Sequence, residues 1–255
     1  MRSEAQGSVR NAARLLRAFG SADAELGIAE LSRRVGIGKS TVHRTVTALV
    51  QERLLERGAT PGRYRLGLAL YELGTRVNEN VDLHQAALPV LTTLRHNTGE
   101  MVHVAVLDGL EVVYVERLES HHLLPIFRTV GHRLPAHWTS SGKVLLAALP
   151  RAELERRLEG WTPLAHTPRT ITHRGRLLAE LDRVAAQGWA HNLEEGHLGV
   201  VSIGAPIRGP DGLVMAGLSV VASSSRMTPQ VMRRLAPQVI AAAGLITRRL
   251  GHLPR

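Results

Sequence analysis

Apolar residues recur at three- and four-residue spacing through the first fifty positions, and the pattern divides into three short helices. Val9, Ala12, Ala13, Leu16 and Phe19 share one face of a helix over residues 8–20, with Ser8 as its cap. After a short connection, Ala29, Leu31 and Val35 supply the inner positions of a second helix. Gly36 and Gly38 bracket Ile37 in a tight turn, where glycine is the least strained residue if the backbone leaves the right-handed region. Ser40 and Thr41, both cap-forming types, open the third helix.

At about 100° per residue, Val42, Val46 and Leu49 fall on one side of that third helix, with Val50 at its edge. Ser40, Arg44, Thr47 and Gln51 fall on the other, flanked by Thr41 and His43. This second face presents hydroxyls, an amide and a guanidinium, the groups that read base edges in a major groove or bond to phosphate. A solvated surface helix pair would show a polar face as well, and the next segment bears on the choice. Leu54 and Leu55 begin an extended arm, Pro61-Gly62 marks a turn, and Tyr64 and Leu66 alternate with Arg63 and Arg65. A hairpin after a helix-turn-helix is a wing. Arg57, Arg63 and Arg65 cluster about its tip, with Lys39 and His43 as further candidates for phosphate contact. Helix-plus-hairpin modules also serve as protein interaction domains.

Leu70, Leu73 and Val77 then predict a linker helix over residues 68–80 that buries a leucine stripe against a partner chain. Asp82 opens another helix, with Ala86, Leu88, Leu91 and Leu94 inward and Pro89 near its start. Strands follow at 101–107 and 111–117, joined at Asp108-Gly109, and a third at 123–129. Helices are predicted at 139–149, 153–158 and 174–187, the last ended by Gly188. Strands at 200–207 and 213–222 flank the turn Gly209-Pro210-Asp211-Gly212, and a long helix over 228–250 carries Pro237. Hairpins flanked by helices make an α+β domain. The chain divides into a head, residues 1–67, a linker helix, 68–81, and a second domain, 82–255.

Charge strengthens the nucleic-acid reading. The formal net charge of the 255 residues is +10, and residues 1–75 hold 12 Lys/Arg against 7 Asp/Glu. A basic surplus favours polyanionic partners. Cysteine is absent, which excludes disulfides and thiolate-ligated metals. No stretch has the length of a membrane span and the start has no apolar signal region, so the expectation is a cytoplasmic protein with no membrane partner.

Two segments carry the residue types of sharper chemistries. Ser140-Ser141-Gly142-Lys143 fits S-x-x-K, the nucleophile pattern of penicillin-recognising enzymes, yet no S-D-N or K-T-G companion occurs. Lys143 in a structural ion pair is the simpler account. His191, Glu194, Glu195 and His197 have the donor types of a zinc site, against a polar surface loop. His121-His122 are adjacent and suit chelation poorly. The alternative is an enzyme acting on a small molecule through the second domain with the head as a tether, for which no acid/base or nucleophile–base set stands out; no cofactor is implied.

In order and spacing, SVRNAARLLRAF, IAELSRRVGIGKSTVHRTVTALVQERLLER, YRLGLALYELG, LPAHWTSSGKVLLA and GWAHNLEEGHLGVVSIGAPIRGPDGLVMAGLSV resemble the isocitrate lyase regulator (IclR) family of bacterial transcription factors across nearly the whole chain. The resemblance implies an N-terminal winged helix-turn-helix joined by a linker helix to a GAF-like effector-binding domain. It implies a homodimer or homotetramer on a palindromic double-stranded operator, and repression of a catabolic operon relieved by a small effector. Carried over by position, Ser140, Ser141, Asn192, Ser202 and Ser219 are polar pocket residues, and Leu134, Val200 and Val221 apolar lining. Asn192 stands where some members carry an acid, Val221 where some carry serine, and Trp138 where a small residue is common. Those departures imply a larger or less polar ligand than a short keto acid. Independently of the name, Ser140 and Ser141 at a helix start sit beside free N–H groups, a site for a carboxylate.

Overall fold

The computed structural model describes residues 2–20, 24–79, 83–120 and 130–251, which fall into two units, Met1–Val81 and Asp82–Arg255. In the first unit, α1 (Arg2–Arg17), α2 (Ile28–Val35) and α3 (Lys39–Gln51) pack together, followed by β2 (Leu55–Arg57), β3 (Arg63–Leu66) and α4 (Leu68–Glu79). A two-residue strand, β1 (Leu26–Gly27), pairs with β3 and makes the wing three-stranded in the order β1-β3-β2. Leu15, Leu26, Leu31, Val35, Val42, Val46, Leu49 and Leu55 form an aliphatic core, with Ile37 and Tyr64 packed on it.

Local details differ from the sequence reading. Ser8 lies inside α1 rather than at its start: Glu4, Ala5 and Gln6 are good helix formers, and one glycine at position 7 costs only about 1 kcal/mol. Ala29 is exposed, and Ile28 packs on the core in its place. Gly36 takes the left-handed conformation, φ 65°, and ends α2. Gly38 does not; at φ −58°, ψ 141° it is itself the N-cap of α3, which puts Ser40 and Thr41 in the first turn rather than at the cap. At the start of α2, Glu30 accepts the Gly27 N–H at 2.8 Å, a role no apolar periodicity reveals.

In α4, Leu68, Tyr71 and Leu73 are exposed and Leu70 is half-buried. The side chain of Val77, residues 80–82 of the expected 78–82 boundary, the strand expected at 123–129 and the His121-His122 pair lie outside the described residues.

The second unit is built on six antiparallel strands: β4 (Met101–Asp108), β5 (Glu111–Leu118), β6 (Arg133–Pro135), β7 (Ala190–Leu193), β8 (Val200–Arg208) and β9 (Val214–Ser223), in the order β6-β5-β4-β9-β8-β7. The hairpins β4–β5 and β8–β9 meet through β4 and β9 at the centre. One face is covered by α5 (Leu83–Thr98) and α9 (Pro229–Arg249), and the other by α6 (Ser140–Ala147) with α8 (Arg174–Gln187) behind it. A short helix, α7 (Arg151–Arg157), lies between α6 and α8 in sequence. In α5 the inward set is Leu83, Ala86, Ala87, Val90, Leu91 and Leu94; Leu88 is turned outward and Pro89 is mid-helix. The sequence pattern chose Leu88 on size, whereas Ala87 and Val90 have the phase of the buried face.

Small residues decide where α6 sits. A Cβ on Gly204 would stand 3.0 Å from the Ser140 carbonyl carbon, and one on Gly217 2.8 Å from the Ser141 carbonyl oxygen. A Cβ on Gly142 would meet the Ala136 carbonyl oxygen at 2.2 Å, so the 3₁₀ turn Ala136–Trp138 folds tightly over the start of α6. Bare backbone at these glycines lets the N-terminus of α6 lie directly on the sheet, which no larger residue would permit.

Candidate functional site

The outer face of α3 is set by burial of the opposite face. Val42, Val46 and Leu49 are packed away, and Lys39, Ser40, His43, Arg44, Thr47 and Gln51 are exposed, with Thr41 half-buried. Among the described residues Lys39, Ser40, His43 and Arg44 have no side-chain partner. Thr47 differs: its hydroxyl donates to the His43 carbonyl at 2.9 Å, leaving its lone pairs and methyl to face outward.

The wing arginines divide. Arg63 donates to the Glu25 carbonyl at 2.7 Å and to Glu30 at 3.1 Å, clamping β3 to the start of α2. Arg65 is held by Glu56 at 3.0 Å, and Glu56 also accepts the Leu68 N–H. The turn is tied in turn by Glu25, which accepts the Ala59 N–H at 2.7 Å; that bond holds its carboxyl below the usual range. Arg57 alone of the three is exposed without a partner among the described residues. Basic residues at a wing tip look alike in sequence, and only the neighbouring carboxylates separate a free guanidinium from a structural one.

In the second unit a narrow pocket, open to solvent and with about 350 Å³ of space between atoms when its mouth is included, lies against the sheet face that α6 covers. All eight positions expected from the sequence line it: Leu134, Ser140, Ser141, Asn192, Val200, Ser202, Ser219 and Val221. They come from β6, α6, β7, β8 and β9, and register explains the meeting. Asn192, Ser202 and Val221 are cross-strand partners on β7, β8 and β9, and Gly204 pairs Ser219 one pleat further on. Period-two alternation turns all of these to the same face.

The polar groups are unequally occupied. Ser140 donates to Ser202 at 2.8 Å and the Asn192 side-chain oxygen accepts the Glu195 N–H at 2.8 Å, while among the described residues the Ser141 hydroxyl has no partner. Burial raises the Tyr114 phenol to about 12, so it stays a neutral donor or acceptor. Thr139 caps α6 by accepting the Gly142 N–H at 2.9 Å, and the N–H groups of Ser140 and Ser141 are the uncapped donors of the first turn. Among the described residues, the Ser219 hydroxyl and the Trp138 indole N–H have no partner.

Trp138 was read only as bulky. Its ring lies 3.2 Å from where a Cβ on Gly196 would be and edge-on to His166 at 4.0 Å between centroids. It forms one wall, with Tyr114, Thr139, Gly196 and His197 also lining. Tyr114 could have been found from its phase in the β4–β5 hairpin. Gly196 and His197 follow an unpredicted strand, β7, too short to show alternation.

Behind the cavity, Lys143 is buried and bonded to Glu195 at 2.6 Å, Glu180 at 3.1 Å and the His191 carbonyl at 3.0 Å. Burial lowers its pKa and raises that of Glu195, while their mutual attraction opposes both shifts. The structural ion pair expected for Lys143 is therefore present, and the S-x-x-K spacing assembles no nucleophile and base: three acceptors surround the ammonium, and Ser140 donates to Ser202. The loop after β7 is buried at Glu195 and Gly196 and reaches the surface at Leu198. Glu195 is buried against Lys143, while Glu194 is bound to Arg169 at 2.7 Å and accepts the Gly199 N–H. Among the described residues no three His, Asp or Glu side chains are placed to hold a metal ion.

A winged helix-turn-helix followed by an α+β domain enclosing a small polar cavity is the organisation of a ligand-responsive transcriptional regulator. Comparison with known proteins gives the family. The model of the IclR helix-turn-helix domain matches residues 8–59, and that of the bacterial transcriptional regulator IclR C-terminal domain matches 75–248. The chain belongs to the IclR family of bacterial transcriptional regulators. It is 34% identical over 245 residues to the HTH-type transcriptional regulator XynR of Escherichia coli K12, covering 96% of this chain and 97% of that one. To KdgR of the same organism it is 34% identical over 238 residues, 93% and 90% of the two chains. Among solved structures, an IclR homolog from Microbacterium hydrocarbonoxydans complexed with 4-hydroxybenzoate superposes with a TM-score of 0.84 at 30% identity, covering 96% and 99%. A regulator from Rhodococcus sp. RHA1 does so at 0.82 and 30%, covering 96% and 98%. Within the described residues no helix is long and apolar enough to cross a membrane.

Proposed function

We propose that this regulator is a repressor that binds a palindromic operator as a dimer or tetramer and is released by a small organic acid held in the cavity. The observation that carries the reading is the convergence of the eight lining residues, from five separate elements, on one cavity at the N-terminus of α6. Two uncapped N–H groups and the positive end of a helix favour a carboxylate there, while Leu134, Trp138, Val200 and Val221 favour an apolar body. The neighbour bound to 4-hydroxybenzoate, an aromatic acid, supports the same ligand class.

On the DNA side, Ser40, Thr41, Arg44 and Thr47 read or approach base edges. Lys39, His43 and Arg57 contact phosphate, while Arg63 and Arg65 shape the wing that carries Arg57. The proposed units are the head 1–67, linker helix 68–81 and effector domain 82–255. The ligand changes operator affinity only as far as it binds one arrangement of the DNA heads better than another.

Fluorescence anisotropy tests this reading with duplex from the gene's own upstream region against scrambled duplex. Wild-type protein is expected to select the upstream duplex, and Arg44→Ala to lose about 1–3 kcal/mol of that selectivity. Equal binding to both duplexes, with no sequence enriched from a random pool, would sink the assignment.

A further inference from the structure

Beside the cavity, the sheet carries a row of buried polar groups with idle donors and acceptors among the described residues. His103 on β4 is in register with Ser219 on β9 to one side and with Arg117 on β5 to the other, so the three side chains share the face that α6 covers. His103 and Ser219 are each 1% exposed, and the Arg117 side chain is 7% exposed. Among the described residues, both ring nitrogens of His103, the Ser219 hydroxyl, and Nε and Nη1 of Arg117 have no hydrogen-bond partner. Arg117 keeps one contact, from Nη2 to the exposed Glu119 at 3.3 Å. The row adjoins the cavity: Ser219 lines it, and the ring of Tyr114, another lining residue, is 4.6 Å from that of His103.

A buried guanidinium with two idle donors is a costly arrangement, kept in native proteins where something completes it. Its planar fork matches a carboxylate or another oxyanion. Burial and the nearby guanidinium hold His103 neutral, at about 3, so its ring offers one N–H to an incoming acceptor without adding charge. Ser219 offers a second hydroxyl between this row and the start of α6. Of the row, Ser219 lines the cavity, and His103 and Arg117 stand one and two strands behind it, each strand about 4.8 Å from the next.

We propose that Arg117, with His103 and Ser219 beside it, seats a second anionic group of the effector, so that the ligand is a small diacid bound at one end by the α6 N-terminus and at the other by Arg117. This rests on the reading of the cavity as the effector site. It names Arg117 as the residue that sets the ligand's charge, a role the apolar walls and serines cannot fill.

Thermal-shift titration of the full chain in carboxylate-free buffer tests it, with benzoate against isophthalate and terephthalate, and hexanoate against adipate. The expected result is half-saturation by at least one diacid at a concentration about tenfold or more below its monoacid counterpart. R117M is expected to bring that ratio to about one while leaving the ligand-free melting temperature unchanged or higher, since the ion pair it removes is with the exposed Glu119; R117Q serves if R117M does not fold. Monoacids binding as well as diacids, or a preference that survives the loss of the guanidinium, overturns the Arg117 proposal alone. Absence of binding by every acid, together with an operator complex that none of them dissociates, overturns the effector reading as well.

Discussion

At the scale of single residues, the second unit depends on Lys143. Its ammonium joins α6 to Glu180 of α8 and to Glu195 in the loop after β7, with every partner buried. Truncating one member of a buried ionic group leaves the others desolvated and uncompensated, which costs about 3–5 kcal/mol. Lys143→Met is therefore expected to lower the calorimetric melting temperature of the second unit sharply while leaving that of the head unchanged. A loss below about 1 kcal/mol would show the network to be peripheral. The pattern S-x-x-K was visible in the sequence, but its meaning was not. Whether a lysine activates a serine or neutralises two glutamates depends on residues 37 and 52 positions away, brought in by packing.

At the scale of elements, the histidines set a pH dependence. His103 lies in β4, His137 in the 3₁₀ turn before α6 and His191 in β7, and burial depresses them to about 3, 4 and 4. Unfolding returns each to an ordinary value near 6.5, so between there and the folded value the unfolded chain binds more protons. Their contribution to stability is full above about pH 6.5 and is lost as pH falls toward 3–4, at up to about 1.4 kcal/mol per pH unit for each group. Chemical denaturation of the second unit from pH 7.5 to 4.5 should show stability falling below 6.5, with a shallower slope in His103→Gln. A flat profile would mean that these rings are not held neutral. The elements that bear them were legible in unequal degree. The hairpins β4–β5 and β8–β9 announce themselves by apolar runs around Gly109 and Gly212. By contrast β6 and β7 are three and four residues long, and their strand character comes from pairing with a neighbour rather than from any pattern of their own.

At the scale of the whole molecule, function needs a head with free positive charge and a domain whose cavity has room for a ligand. The head's surplus is smaller than its arginine count suggests, because Arg63 and Arg65 are committed to Glu30 and Glu56. Arg57→Ala is expected to reduce the slope of log K against log salt by about one, weakening all duplexes alike. Arg63→Ala should instead loosen the wing and lower selectivity, since its guanidinium holds β3 to α2. If both substitutions changed the salt slope equally, Arg63 would be a phosphate ligand despite its clamp. By itself, the sequence determined the order of the main helices and of the β4–β5 and β8–β9 hairpins, the division into a head and an α+β domain, the outward face of α3 and the family. These follow from local periodicity, turn residues and motif order, all of which act over a few residues at a time. Tertiary structure alone decided which arginines are free, how Gly142, Gly204 and Gly217 let α6 rest on the sheet, and that Arg117, His103 and Ser219 stand in one buried row. Those outcomes depend on strand register and on partners far apart in the chain, for which one-dimensional pattern carries no physical signal.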